Sequence, residues 1–167
     1  EYYVYMETFG GGSGARFNKD GLSCVQVHMT NTSNLPIESM EIEFPYMVEQ
    51  YTLVPDSGGP GKFRGGLSMY KDIRVLGHDS QFTVKADRQK TPPWGLFGGK
   101  PGLPGVITIY PGTPDEAVID SKKSGTTLKA NGVLRCQMPG AGGYGDPMER
   151  DRAMIVHDLE EGYITCE

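Results

Sequence analysis

The residues most capable of chemistry stand together in "HMTNTSNLP", 28–36, with the acidic run "ESMEIEF" directly behind. His28 is one of three histidines, and imidazole serves both proton transfer near neutral pH and metal ligation. Thr30 and Asn31 follow it and could fix its tautomer or hydrogen-bond a carbonyl oxygen. The plainer alternative is a strand-end histidine bonded into a polar turn. Glu38, Glu41 and Glu43 are potential bases or ligands. Glu41 and Glu43 fall on the polar side of an alternating segment, whereas Glu38 shares its parity with Met40 and Ile42 and is expected to point toward the core. The loop "DSGGPGKFRGG" adds Asp56, Ser57 and Arg64, expected on a mobile segment able to close over a ligand.

Positioning these groups falls mainly to β-strands. In "LSCVQVHM" Val25, Val27 and Met29 alternate with Cys24, Gln26 and His28, which places His28 on the polar side of a strand end. "EYYVYMETF" and "IESMEIEF" also read as strands, as do "QYTLV", "GLSMYKDIRVL", "QFTVKA", "GVITIY" and "GVLRCQM". Pro36 separates the polar stretch from the acidic one and lets the chain turn back. Turn-forming segments rich in Gly and Pro lie between the strands, and the 24 glycines are expected mostly in tight turns with positive φ. The fold class is therefore mainly β, a sandwich or barrel-like arrangement of many short strands, with one helix at the C-terminal end. That helix is signalled by Asp146 as N-cap, Pro147 at its first position, Glu149 completing a capping box and Gly162 as its stop. Met148, Ile155, Val156 and Leu159 would be its core-facing residues.

With 167 residues the chain, 1–167, reads as a single domain. A net charge of −5 with scattered Lys and Arg gives no footprint for nucleic acid. No apolar run reaches the roughly 20 residues that span a bilayer, and no signal-peptide pattern opens the chain. Three widely spaced cysteines fit neither a disulfide framework nor a structural zinc site, so a cytoplasmic location is expected. No glycine cluster satisfies G-x-x-x-x-G-K-[ST], and no G-x-G-x-x-G opens a helix after a strand. Trp94 and Phe97, in "TPPWGLFGG", are read as an interface anchor or a local plug. His78 and His157 read as surface residues. The first residue is Glu1 rather than methionine, which fits a piece of a longer polypeptide or a processed product.

Four ordered segments, "YMETFGGGSGA", "DGLSCVQVHMTNTSNLPIESMEIEFPYMVEQYTLVPDSGGPGKFRGG", "DRQKTPPWGLFGGKPG" and "MPGAGGYGDPMERD", together resemble the C-terminal part of the hydantoinase B / 5-oxoprolinase family. That family includes N-methylhydantoinase beta subunits, 5-oxoprolinase and subunits of acetone and acetophenone carboxylases. The resemblance implies part of an ATP-dependent, hetero-oligomeric enzyme. A hydantoinase A-type ATPase partner would bind ATP and Mg and phosphorylate the substrate. The B-type part would then hydrolyse the activated lactam or imide, or carboxylate the activated ketone. It further implies that the N-terminal portion of the B-type subunit is a partner of this chain. Any divalent metal would be bound by a segment of that portion, absent here, and the isolated chain would be inactive. The motif positions with useful chemistry are His28 and Glu38 as catalytic groups, and Thr30, Asn31, Asp56 and Arg64 as substrate-binding ones. The alternative is a non-catalytic β-rich assembly module of such a complex.

Overall fold

A computed structural model describes residues 3–27 and 32–166 of the protein. A short helix α1 (Ile37–Glu43) is followed by β1 (Tyr46–Leu53), β2 (Met69–Val75), β3 (Ser80–Lys85), β4 (Val106–Ile109), β5 (Ala117–Ile119), β6 (Lys122–Leu128) and β7 (Val133–Gln137). A single 3-10 turn (Pro147–Glu149) and α2 (Arg152–Glu160) complete the described elements. Five strands form an antiparallel sheet in the order β1-β2-β7-β4-β5, while β3 and β6 pair as a separate ribbon. Among the described residues the larger sheet keeps two open edges and does not close into a barrel. The mainly β class with a C-terminal helix is therefore the observed one.

Register puts Tyr51, Lys71, Cys136, Ile107 and Ile119 in one row across the sheet. The next row, on the opposite face, is Gln50, Asp72, Arg135, Thr108 and Val118. Met69, Ile73 and Val75 of β2 share the Lys71 face and are buried, together with Ile107 and Cys136. The open face instead carries a ladder of charges.

Three elements depart from the strand reading. "IESMEIE" is helical: Pro36 precedes it with ψ 135°, the Met40 amide donates to the Pro36 carbonyl, and Pro45 follows its end. Glu and Met favour helix over strand, and so short an alternation cannot separate the two. Only Met40 becomes buried, and Ile42 stays largely exposed. "LSCVQV" keeps one bridge, Gly11 to Val25, because Cys24 takes φ 53° and breaks the extended run. Residues 3–9 form no strand ladder. Two strands, β5 and β6, escape the sequence reading because their residues are mostly exposed and lack a clear alternation.

The C-terminal helix is divided. Asp146 does cap, accepting from the Met148 amide, and Gly162 stops the chain at φ 68°. Arg150, however, is extended at ψ 132°, and Asp151 caps a second start by accepting from the Ala153 amide. The expected apolar face is packed only in part, with Ile155 and Leu159 half-buried. Met148 is 90% exposed and Val156 is exposed, whereas the buried residue of α2 is Asp158.

The glycines also behave differently from expectation. None of those in "GGGSGA" or "DSGGPGKFRGG" has positive φ. They let loops pass backbone against backbone: a Cβ on Gly65 would lie 1.9 Å from the Ala141 carbonyl oxygen, and one on Gly140 equally close to that of Ser57. The 57–68 segment is accordingly mostly buried, rather than a lid.

Candidate functional site

His28, Thr30 and Asn31 lie outside the described residues. Their described neighbour Asn34 donates from Nδ2 to the Tyr51 hydroxyl at 2.8 Å. The Tyr51 ring in turn lies 5.7 Å from the Lys71 ammonium, with the Phe9 ring at the same distance. Lys71 Nζ is 3.0 and 2.9 Å from the two carboxylate oxygens of Glu7, and the Tyr5 hydroxyl donates to the same carboxylate. A continuous run of contacts thus links the polar stretch to a buried ion pair on the central sheet.

That pair is built by two patterns. β2 can bury a lysine only if a partner offsets the desolvation of its charge, and Lys71 is 2% exposed. Glu7 supplies the counter-charge from the N-terminal segment, where Tyr5, Glu7 and Phe9 alternate inward and Met6 faces out. The rings of Tyr3, Tyr5, Phe44 and Tyr46 pack against one another in a cluster that continues from Tyr5. Burial and the Glu7 carboxylate push the Tyr5 hydroxyl well above its ordinary range, so it is a proton donor at neutral pH. Burial, reinforced by Glu7, pushes the Cys136 thiol up to about 12, and burial raises Cys24 to about 11. Both are protonated thiols rather than nucleophiles. The Tyr5 proton is committed to Glu7 and the Lys71 ammonium faces both Glu7 oxygens, so the cluster is an internally matched anchor rather than a set of open donors.

Sequence reasoning passed over Lys71, Glu7 and Tyr5. A usable signal was present: Lys71 shares strand parity with Met69, Ile73 and Val75, and a lysine in an otherwise apolar row calls for a buried partner.

The remaining expected site residues are not gathered here. Glu38 is exposed in the first turn of α1, so its expected inward orientation is corrected. Asp56 stands at φ 57° and accepts from the Thr165 amide at 3.0 Å and hydroxyl at 2.7 Å, tethering the C-terminal segment. Arg64 is 7% exposed and belongs to a buried network. Its Nε donates to Asp158 at 3.1 Å, and Arg150 Nη2 donates to the same oxygen at 2.5 Å and to Asp20 at 2.8 Å. Burial alone would raise Asp20, yet the Arg150 guanidinium and the Arg64 amide hold it below the ordinary carboxylate value. The loop bearing Arg64 is therefore a fixed strut, and its charge is matched internally.

Four backbone amides of the glycine loops are already hydrogen-bonded. The amides of Gly12, Gly59, Gly65 and Gly66 donate to the carbonyls of Pro139, Ala141, Gly59 and Ser13, so they are unavailable to phosphate oxygens. Among the described residues no three His, Cys, Asp or Glu side chains are grouped to hold a metal. No helix among them is long and apolar enough to cross a membrane.

The family model for hydantoinase B/oxoprolinase matches residues 1–147. The chain belongs to that family. It is 35% identical over 167 residues to a Pseudomonas protein (strain NS671) named as the B component of a D-/L-hydantoinase, covering 99% of this chain and 28% of that one. It is 36% identical over 143 residues to the 5-oxoprolinase of Dictyostelium discoideum, covering 84% of this chain and 11% of the relative. The hydantoinase B/oxoprolinase chain thus spans under a third of the length of these relatives. Its fold is shared with the crystal structure of the ATP-dependent caprolactamase from Pseudomonas jessenii, at TM-score 0.77 and 22% identity, over 93% of this chain and 28% of that chain.

Proposed function

We propose that this chain is part of an ATP-dependent, multisubunit enzyme that hydrolyses a cyclic amide or imide, or carboxylates a ketone, after phosphoryl activation by a hydantoinase A-type partner. The observation that carries the reading is membership of the hydantoinase B/oxoprolinase family over residues 1–147. The two relatives above are named for hydantoin and 5-oxoproline, both cyclic amides. An amide carbonyl is a poor electrophile, and phosphorylating its oxygen supplies a leaving group that the enzyme need not otherwise generate. The partner would hold ATP and Mg, in keeping with loops whose amides are already occupied in this chain.

Within this reading His28 orients or deprotonates the nucleophile, and Thr30 and Asn31 hydrogen-bond the substrate oxygen. Glu38, exposed at the start of α1, is the second acid–base group. Asn34, Tyr51, Lys71 and Glu7 are positioning residues, anchoring the polar stretch to the rigid sheet. Asp56 and Arg64 serve structure rather than substrate.

The test is turnover of hydantoins and lactams by the intact enzyme, with its ATPase partner and the rest of the B-type polypeptide. His28→Ala should lower kcat by about 100-fold or more, the usual contribution of a general acid–base group. Unchanged turnover in a correctly folded variant would remove His28 from the mechanism.

A second reading, a non-catalytic assembly module, is favoured by one observation. Trp94, Leu96, Phe97 and Met148 are exposed on loops locked by glycine contacts, with Phe97 78% exposed at φ 52°. Large exposed apolar groups on a rigid platform suit a protein interface. If Trp94→Ala and Phe97→Ser abolish co-purification with the partner polypeptides while the His28→Ala enzyme keeps full turnover, this reading replaces the first.

A further inference from the structure

On the face of the sheet opposite Lys71 lies a cleft of about 290 Å³, lined among others by Glu49, Asp72, Arg74, Tyr110, Asn131 and Arg135. The β2 positions 72 and 74 share this face, and Arg135 of β7 stands opposite Asp72. Glu49 is placed by a bulge, where the β1–β2 register shifts between Val48 and Gln50. Two of the six, Tyr110 at φ 52° and Asn131 at φ 62°, hold left-handed backbone without being glycine. Such conformations persist where surrounding structure enforces them, and they concentrate at ligand sites.

The charges of the cleft are ordered but not fully matched. Arg135 commits Nε and Nη2 to Asp72, at 2.8 and 2.6 Å, and lies 4.4 Å over the Tyr70 ring. Arg74 commits Nε to Glu49, at 2.6 Å, and Nη1 to the Asn131 carbonyl. Among the described residues Nη1 of Arg135, Nη2 of Arg74 and Oε2 of Glu49 are left without a hydrogen-bond partner. The side chains of Arg74, Arg135 and Glu49 are each about one-third exposed, so solvent and small solutes reach them. Two open guanidinium donors and one open carboxylate oxygen therefore border the same small cleft.

We propose that this cleft binds a small zwitterion of the amino-acid class. Its carboxylate would lie against Arg74 and Arg135, and its ammonium against Glu49. A simple anion fits less well, because Glu49 and Asp72 balance the two arginines and Glu116 adds negative charge near Arg135. A simple cation meets the guanidiniums. Only a ligand carrying both signs matches both sets of open groups. The ligand class follows from the cleft itself. The further step, that the zwitterion is the ring-opened amino acid released from a cyclic amide, rests on the proposed function. Hydrolysis of a lactam breaks the C–N bond, adds water, and leaves a carboxylate and an amine on one molecule.

The test is amide chemical-shift titration of the 167-residue chain with 6-aminohexanoate and with L-glutamate, using acetate and methylamine as single-charge controls. Saturable shifts of the Gly112, Asn131 and Gly132 amides are expected with the zwitterions, at least about tenfold tighter than with either control. Glu49→Gln, which removes the carboxylate charge, and Arg74→Lys, which removes the open Nη2 donor, are both at partly exposed positions and verified as folded by their spectra, and each should weaken binding by about tenfold. No saturable shift, a response to acetate equal to that of the zwitterions, or binding unaffected by both variants would each overturn the proposal. Because the titration needs neither ATP nor partner polypeptides, a failure of turnover in the assembled enzyme leaves its outcome unaltered. If L-glutamate and 6-aminohexanoate bind while no lactam is hydrolysed, the cleft stands and only its link to the reaction falls.

Discussion

Lys71 and Glu7 meet with the ammonium 2.9 and 3.0 Å from the two carboxylate oxygens, although 64 residues separate them and neither side chain is more than 5% exposed. This pair fastens the N-terminal segment to the centre of the sheet. Removing one partner strands the other charge in a buried setting. Lys71→Met should therefore destabilise the chain by about 3–5 kcal/mol, read from denaturant melts. The double variant Lys71→Met with Glu7→Gln should recover most of that loss. If the single and double variants are equally unstable, the pair contributes through packing and not through charge.

The Asp20, Arg150, Asp158 and Arg64 network predicts a pH dependence. Asp20 is held below its ordinary value of 3.8 in the folded state. A depressed folded value gives stability that is present above the unfolded value and is lost as pH falls through the folded one. Stability should thus decline on acidification below about pH 4, and Asp20→Asn should flatten that part of the profile in thermal melts. Asp158→Asn leaves two arginines facing a neutral group and should cost about 3–5 kcal/mol near neutral pH.

Thiol reactivity separates the three cysteines. Cys166 is exposed, Cys24 is half-buried with its thiol raised to about 11, and Cys136 is buried with its thiol raised to about 12. At about pH 8 iodoacetamide should modify Cys166 first, and Cys136 only after unfolding. Mass spectrometry of a time course reads this directly, and early labelling of Cys136 would contradict its place in the central row of the sheet.

Two glycine substitutions give opposite expectations. Gly65→Ala puts a carbon 1.9 Å from a backbone oxygen, which the packed loops cannot absorb, and should prevent folding. Gly14→Ala meets nothing within 4 Å and should change stability by about 0.5 kcal/mol or less. Circular dichroism and melting of both variants test whether the glycines serve close backbone approach.

The strands at 69–75, 106–109 and 133–137 were legible because each is a short run with β-branched or apolar residues between turn-forming segments, and their burial on both faces suits such runs without strict alternation. The Asp146 cap and Gly162 stop were equally legible, being local backbone chemistry. The family, too, was readable from ordered motifs. Alternation over "MEIEF" misled because a run that short fits one helical turn as well as a strand. The break at Arg150 could not be read locally, since it serves partners at Asp20 and Asp158.

What the sequence alone determined is the mainly β class, most strand positions and the family, all of which depend on local pattern or contiguous motifs. What only the tertiary structure decided is the set of charge partners: Lys71 with Glu7, Arg64 with Asp158, Arg74 with Glu49. A buried charge must find an opposite one wherever the fold brings it, at separations of 64 and 94 residues here, while the partly exposed Arg74–Glu49 pair spans 25, and no local rule specifies those distances.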